Sequence, residues 1–312
     1  MYDDAKSFSF LGAQVYVYGL FIAVACALML AALTYSCRKK NLPKGTAALL
    51  GALGIPIGLV CSRVLFCLLD SGFRGVFSPR ALLSFWGGGL SMTGALLGAA
   101  LAALLTARIQ KISALDLLDA LTPALLAFMA VARFGEPFTN DLLGRSRALT
   151  VSWLRGTVFS SADEYGIYRL DTWLIEALCA ALLSGLLIAM LRKGKRRGEV
   201  LLTGMLLLGC IEVFWHSMRT DAHMFVTFVN LQQIIYACMF AAALIVFARR
   251  CGGKALWIAV GACLLDVGAI IGLEFLIDRS SISHVLLYIP YALLMAGTAA
   301  LGLIFRKRSE RA

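Results

Sequence analysis

The sequence has few charged residues, no closely spaced cysteine pair and no basic leader at its N-terminus. Only 15% of its 312 residues are charged, whereas 60% are hydrophobic and the mean hydropathy is +0.84. A soluble core of this size cannot hide so much apolar surface, so the composition predicts a polytopic membrane protein. The first ten residues contain two acids and one lysine. Because they lack the basic region of a cleavable signal peptide, we expect the first apolar run to remain as a span.

The nine cysteines occur singly, without a CxxC pair and without a histidine at ligand spacing. We interpret them as small apolar packing residues, and we expect no metal site and no cofactor. The net charge of +11 does not indicate nucleic-acid binding, because the basic residues fall in short connections between apolar runs. The charges therefore indicate membrane topology.

Nine apolar runs reach the roughly 20 residues that a helix needs to cross the hydrocarbon. The predicted spans are 15–36, 47–69, 88–107, 114–132, 172–191, 200–218, 231–248, 255–277 and 284–305. Eighteen of the 29 lysines and arginines fall on alternate connections, all on one side. By the positive-inside rule that side is cytoplasmic, which predicts an external N-terminus and a cytoplasmic C-terminus.

Outside those basic connections, ten of the remaining eleven basic residues are arginines. A planar, bidentate guanidinium suits recognition of phosphate or carboxylate, although arginine also anchors helices at the membrane interface. The longest external connection runs from Arg133 to Asp171, which is too long for a tight turn and predicts a functional loop or a small ordered cap. Within it, Arg133 and Arg145 suit the binding of a phosphate headgroup.

The segment VARFGEPFTNDLLGR, residues 131–145, resembles a signature of the prolipoprotein diacylglyceryl transferases, Gly-Arg-x-Gly-Asn-Phe-x-Asn-Gly-Glu-x-x-Gly-Arg. The two agree in register at Arg133, Gly135, Gly144 and Arg145. The chain departs from the signature at three informative positions, where it has Glu136 for asparagine, Asn140 for glycine and Asp141 for glutamate. The resemblance is centred on residues 87–145 and extends over roughly 14–249.

Further motifs carry the same resemblance along the chain. GGLSMTGALLG at 88–98 is similar to the family's glycine-rich motif, with Thr93 in place of its histidine. Tyr18, Arg169 and Gln233 answer to a tyrosine, an arginine and a glutamine of other family motifs. In the sixth span, Glu212 stands where the family has arginine, and His216 where it has glutamate. Their i, i+4 spacing on one helical face predicts an ion pair or hydrogen bond.

The resemblance implies transfer of a diacylglyceryl group from phosphatidylglycerol to the thiol of a lipoprotein-precursor cysteine, at the bacterial plasma (inner) membrane. Cations must hold the phosphate, and a base must help the thiol become a thiolate. We therefore expect the catalytic residues to be Arg133, His216, Glu212, Asp141 and Glu136. The expected substrate-binding residues are Tyr18, Arg145, Gly144, Arg169, Thr93 and Gln233.

The predicted fold is an all-α integral membrane protein, in which a seven-span transferase-like bundle precedes a C-terminal two-span hairpin. Residues 1–249 form the transferase-like domain with an external loop at 133–171, and residues 250–312 form the hairpin and a basic cytoplasmic tail. Two alternatives remain open. One is a catalytically altered paralogue that binds phospholipid or acts on another substrate, and the other is a transporter that uses the buried charges as a pathway.

Overall fold

A computed structural model describes residues 6–10, 13–69, 82–83, 89–139, 143–149, 151–191, 196–220, 225–226, 229–279 and 284–310. Within these ranges, nine helices are long and apolar enough to span a membrane, which confirms the predicted number of spans. They are α1 Val17–Lys39, α2 Thr46–Leu69, α3 Met92–Gln110, α4 Ala114–Gly135, α5 Thr172–Leu191, α6 Glu199–Met218, α7 Leu231–Cys251, α8 Gly253–Arg279 and α9 His284–Ser309.

The helix ends depart from the predicted spans for identifiable reasons. The helix α3 begins at Met92 rather than at 88, because Ser91 is extended and its Oγ accepts a hydrogen bond from the Gly94 amide at 3.3 Å. The helix α1 continues past the apolar run to include Arg38 and Lys39. Basic groups in a last turn interact favourably with the helix dipole, so a charge ends the hydrophobic run without ending the helix.

The described part of the chain is mostly helical, as predicted, and it also contains three small antiparallel sheets. The strands are β1 Ser7–Phe10, β2 Ala13–Tyr16, β3 Arg145–Ala148, β4 Ser160–Ala162, β5 Tyr168–Asp171, β6 Phe225–Val226 and β7 Val229–Asn230. Strands β1 and β2 form one sheet, β6 and β7 another, and the third has the order β3-β5-β4. This three-stranded sheet lies in the long connection for which the sequence predicts a functional loop or a small ordered cap.

The chain divides into two compact units, of which the first comprises Met1–Gly144 and Trp173–Leu201. In this unit α1 packs along α4, and α2 packs along α3. The second helix pair approaches closely, since a Cβ on Gly98 would lie 2.7 Å from the Gly58 Cα. The core between the helices contains Leu33, Leu50, Ala102, Leu117 and Ala120. Small residues therefore determine how closely these helices pack.

A buried carboxylate joins three segments of the first unit. Asp119 is fully buried and accepts hydrogen bonds from the Gly198 and Leu201 amides, each at 2.8 Å. The Lys40 ammonium donates to the same carboxylate at 2.7 Å. Asp119 thus caps the start of α6 from a neighbouring helix and neutralises a lysine at the end of α1.

The second unit comprises Arg145–Thr172 and Leu202–Ala312. Within it, helices α7, α8 and α9 pack against one another. The helix α9 also contacts α6, because a Cβ on Gly302 would lie 2.7 Å from Leu206 Cδ2. The last two helices are therefore part of a larger compact unit. The proposed functional boundary between 1–249 and 250–312 stays a prediction.

Candidate functional site

The Arg133 guanidinium, in the last turn of α4, lies between two carboxylates of the first unit. Arg133 is only 3% exposed. Its Nη1 donates to Glu136 Oε1 at 2.5 Å, and its Nη2 lies 2.7 Å from Glu176 Oε2 on α5. Two acids on one buried cation give a strongly coupled cluster, in which each charge depends on the others.

Two glycines shape the surroundings of this cluster. A Cβ on Gly135 would lie 2.7 Å from Tyr18 Cδ2, so only glycine lets the tyrosine ring lie against the end of α4. Gly144 adopts a φ of 70°, and a Cβ there would lie 2.7 Å from Trp173 Cβ. Its carbonyl also accepts the Trp173 amide at 2.9 Å. The predicted residues Tyr18 and Gly144 therefore lie in the same unit as Arg133 and are constrained by close packing.

Thr93 lies in the first turn of α3, in the glycine-rich motif. It is 3% exposed, and its Oγ1 is buried without a hydrogen-bond partner among the residues that the structure describes. The neighbouring segment is bonded to α2, since the Ser62 hydroxyl donates to the Ser91 carbonyl at 2.7 Å. A Cβ on Gly94 would lie 2.7 Å from the Cys61 carbonyl oxygen. The motif thus joins two helices tightly and leaves one buried hydroxyl with unused bonding capacity.

Two further arginines of the predicted site, Arg145 and Arg169, lie on the three-stranded sheet in the second unit. Arg145 on β3 pairs in register with Asp171 on β5, and its Nε lies 3.3 Å from Asp171 Oδ1. Arg169 donates through Nε to Asp163 Oδ2 at 2.8 Å. Each guanidinium therefore faces a carboxylate, as Arg133 does.

The Asp163 carboxyl is a local organising centre of this sheet. Its Oδ1 accepts the amides of Tyr165 at 3.0 Å and of Ile167 at 2.9 Å. The hydrogen bond from Arg169 holds the pKa of Asp163 below its usual value, and the two amides act in the same direction against the opposing effect of burial. The turn between β4 and β5 therefore depends on an ionised carboxylate.

Glu212 and His216 form an acid–imidazole pair on α6, in the second unit. His216 Nε2 lies 3.3 Å from Glu212 Oε2, one helical turn away, which confirms the predicted contact. Both side chains are buried. The imidazole stacks on the ring of Tyr236 from α7, with centroids 5.4 Å apart. A carboxylate held against one ring nitrogen orients an imidazole and stabilises its protonated form.

Gln233, near the start of α7, is buried in a polar cluster of the same unit. Its Nε2 donates to Glu274 Oε1 at 2.7 Å and to the Tyr291 hydroxyl at 2.6 Å. Both partners come from the last two helices and were not among the predicted site residues. The sequence offers only one signal for these two partners, which is that each is a polar residue within a long apolar run. No local motif connects Gln233 with Glu274 or Tyr291.

The predicted site residues thus fall into separate groups. The first unit contains Tyr18, Thr93, Arg133, Glu136 and Gly144, and the second contains Arg145, Arg169, Glu212, His216 and Gln233. Asp141 lies outside the described residues, as do Asn140 and the first glycine of the glycine-rich motif. Among the residues that are described, no group of three or more histidines, cysteines, aspartates or glutamates could hold a metal ion.

The nine apolar helices, with ion pairs and an acid–imidazole pair buried among them, define a multi-pass membrane protein with the polar groups that an enzyme needs. The model of the prolipoprotein diacylglyceryl transferase family matches residues 6–249. The chain therefore belongs to that family, as the sequence motifs predict.

Individual relatives extend the comparison. The chain is 27% identical over 240 residues to a phosphatidylglycerol–prolipoprotein diacylglyceryl transferase of Bacillus licheniformis, covering 75% of this chain and 88% of that protein. A protein of the same name from Limosilactobacillus reuteri is 24% identical over 243 residues, covering 76% and 87%. Another, from Listeria welshimeri, is 28% identical over 212 residues, covering 66% and 76%.

Proposed function

We propose that this protein transfers a diacylglyceryl group from phosphatidylglycerol to the thiol of a lipoprotein-precursor cysteine. The family match over residues 6–249 carries this proposal. The match covers most of the length of relatives with that name, so the similarity is not limited to one shared motif.

The reaction forms one bond and breaks one bond. The cysteine sulfur attacks a glycerol carbon of the phospholipid, the carbon–sulfur bond forms, and the carbon–oxygen bond to the phosphate breaks. The oxygen leaves with the electron pair as glycerol phosphate, and the thiol proton passes to a base. Since only the thiolate is a strong nucleophile, the base and the groups that stabilise the leaving phosphate determine the rate.

The Glu212–His216 pair suits the role of the base. Hydrogen bonding of Nε2 to a carboxylate favours the tautomer with its lone pair on Nδ1, and the same carboxylate stabilises the imidazolium that forms after proton transfer. Glu136 and Asp141 are further candidates for proton transfer. We assign His216 as the proton acceptor and Glu212 as the group that orients it.

The phosphate needs a guanidinium, and Arg133 is the foremost candidate, with Arg145 and Arg169 as supporting cations. Each of the three faces a carboxylate, so a phosphate oxygen that binds at the same guanidinium nitrogen competes with a carboxylate oxygen. Tyr18, Gly144, Thr93 and Gln233 complete the proposed substrate contacts. Among these, the buried Thr93 hydroxyl has hydrogen-bonding capacity to offer a lipid headgroup.

The proposed setting is the bacterial plasma (inner) membrane, with the N-terminus and the sheet at 145–171 outside and the C-terminus in the cytoplasm. The unequal distribution of lysine and arginine between alternate connections supports this orientation. A seven-span core followed by a two-span hairpin agrees with the match ending at residue 249.

One observation favours a second candidate, a catalytically altered family member that binds phospholipid or acts on another substrate. Glu136 stands where the family signature has asparagine, and it adds a second carboxylate to the Arg133 guanidinium. A phosphate competes there with two anions rather than one.

The full-length protein in phosphatidylglycerol vesicles, given a precursor peptide with one cysteine, separates the two candidates. We expect the peptide mass to increase by one diacylglyceryl group, and we expect Arg133→Ala to abolish this transfer. Arg155→Ala, at an exposed arginine of the same connection between α4 and α5, is the matched control and should transfer at the wild-type rate. Phospholipid binding without turnover would instead establish the second candidate. Growth of a strain depleted of its own transferase gives the same answer in cells.

A further inference from the structure

Helix α9 presents two tyrosines to the part of α6 that carries His216. The Tyr288 hydroxyl donates to the Ser217 carbonyl at 3.1 Å. The Tyr291 hydroxyl lies 3.4 Å from the Val213 carbonyl and 3.3 Å from Glu274 Oε1, and either oxygen can accept its single proton. These two carbonyls lie on either side of His216 along the helix. The contact is thus specific to the segment that holds the proposed proton acceptor.

The Tyr288 contact satisfies a backbone group that the helix itself cannot satisfy. Because α6 ends at Met218, the carbonyl of Ser217 belongs to its last turn, where no following helical amide is available. A hydroxyl from a neighbouring helix takes the place of that amide. His216 therefore lies in a last turn that α9 stabilises against fraying.

Aromatic packing holds the same two tyrosines in place. The Phe214 ring of α6 makes edge contacts with Tyr288 at 5.9 Å and with Tyr291 at 5.7 Å between centroids. The two tyrosine rings also stack on each other, with centroids 6.4 Å apart. Such contacts fix ring orientation beyond what burial alone provides.

Glu274 on α8 fixes the orientation of the Gln233 amide. A carboxylate only accepts, so the amide must turn its nitrogen toward Glu274, and its second N–H reaches the Tyr291 hydroxyl. With both N–H groups engaged, Gln233 can offer a substrate only its carbonyl oxygen. One turn further along α7, Tyr236 stacks on His216.

We infer that Glu274, Tyr288 and Tyr291 are positioning residues for lipid transfer, which fix His216 and the Gln233 carbonyl from helices outside the family match. The match ends at residue 249, and all three residues follow it. The inference rests on the proposed function for its role in the reaction. The structural part of the inference, that α9 sets the environment of His216, can be tested without measuring lipid transfer.

The test uses single substitutions in the full-length protein that remove one interaction each. Tyr288→Phe and Tyr291→Phe remove the hydroxyls and keep the rings. Glu274→Ala removes the acceptor, whereas Glu274→Gln keeps a carbonyl that can accept from Gln233. Thr298→Ala is the matched control, because it removes a buried hairpin hydrogen bond to Asp266 at 3.1 Å, away from His216 and Gln233.

We expect Tyr288→Phe to lower kcat roughly 10-fold, since small displacements of a reacting group cost one to two orders of magnitude in rate. Glu274→Ala should raise the KM for phosphatidylglycerol, and Glu274→Gln should restore it. Thr298→Ala should change neither constant. Equal losses in Glu274→Gln and Glu274→Ala would overturn the role assigned to the hydrogen bond.

Histidine-selective ¹⁵N NMR provides a readout that needs no activity, because the chain has only three histidines. Tyr288→Phe should shift the two ring-nitrogen signals of His216, which His216→Gln assigns by removing them, while Thr298→Ala should leave the His216 signals unchanged. Unchanged His216 signals in folded Tyr288→Phe would overturn the inference. A shift of His216 in a protein that transfers no lipid would retain the positioning and reject the proposed function.

Discussion

Arg133 and Glu136, three residues apart at the end of α4, form a buried ion pair with Nη1 and Oε1 2.5 Å apart. Glu176 holds the other terminal nitrogen of the same guanidinium. The cation proposed to hold the phosphate is therefore already paired with two acids of the protein. Of the two acids, Glu136 is the departure from the family signature, so its carboxylate is the one that distinguishes this chain.

We predict that Glu136→Asn strengthens the binding of phospholipid. Without the carboxylate, a phosphate oxygen no longer competes with a charged acceptor for Nη1. Because hydrogen bonds to charged groups contribute about 1.5–3 kcal/mol, the KM for phosphatidylglycerol should fall roughly 10-fold. Initial rates of peptide lipidation at varied mole fractions of phosphatidylglycerol measure this change.

The matched control for that variant is Glu310→Gln, which removes the acid of the Arg306–Glu310 pair at the far end of α9. It should leave both kinetic constants unchanged. If Glu136→Asn instead abolishes transfer while the protein stays folded, Glu136 is a proton acceptor and not a competitor for the phosphate.

Substitution of the acid–imidazole pair should lower the rate of the chemical step. We expect His216→Gln to reduce kcat by about 10²–10⁴-fold, which is the usual contribution of a positioned general base. Glu212→Gln should cause a smaller loss, since the imidazole remains but loses its orienting charge. Cys238→Ala, at an exposed cysteine of the neighbouring helix α7, should retain wild-type turnover. Single-turnover lipidation measures these losses, and an undiminished rate in His216→Gln would remove the pair from the mechanism.

Thr93→Val tests whether the buried hydroxyl of the glycine-rich motif contacts the lipid. The two side chains have nearly the same shape, so packing against α2 should be preserved. If the hydroxyl bonds the headgroup, KM should rise roughly 5-fold to 10-fold, the effect of about 1–1.5 kcal/mol, with kcat unchanged. An unchanged KM with a raised melting temperature would mean that the hydroxyl is only an unsatisfied buried group.

The helices could be predicted from the sequence because their signal is local and strong. A run of apolar residues long enough to cross a membrane is complete within the run itself, and α5 occupies the predicted residues 172–191. The strands could not be predicted from the sequence, because β3 and β4 are short and polar. Their pairing depends on β5, which lies further along the chain.

The candidate site shows the same distinction between local and distant contacts. The Glu212–His216 contact was predictable, because i, i+4 spacing alone brings the two side chains to one face of α6. The contacts of Arg133 with Glu176 and of Gln233 with Glu274 were not predictable from local spacing. They join residues that are 43 and 41 positions apart in the chain. Arg145 and Arg169, expected as phosphate ligands, have the carboxylate partners Asp171 and Asp163, which the three-stranded sheet brings next to them.

Removal of the Asp119 carboxylate should destabilise the first unit. Asp119→Ala leaves the Gly198 and Leu201 amides without their acceptor and Lys40 without its closest acid. Breaking a buried pair by removing one partner costs about 3–5 kcal/mol, so the melting temperature in detergent should fall by several degrees. Asp116→Asn, at the more exposed acid beside the same lysine, should cost less. Equal melting temperatures for the two variants would contradict the capping role.

Acidification should loosen the three-stranded sheet through Asp163. Its pKa is lower in the folded protein than in the unfolded chain, so its contribution to stability is complete above the unfolded value of roughly 4. That contribution disappears as the pH falls through the folded pKa, because protonation weakens the bond from Arg169 and those from the Tyr165 and Ile167 amides. Hydrogen exchange of residues 163–169, corrected for intrinsic rates, should show protection at pH 6 that declines below pH 4. Asp163→Asn should show weak protection at both pH values, and a pH-dependent loss as large as that of the wild type would assign the effect to another acid.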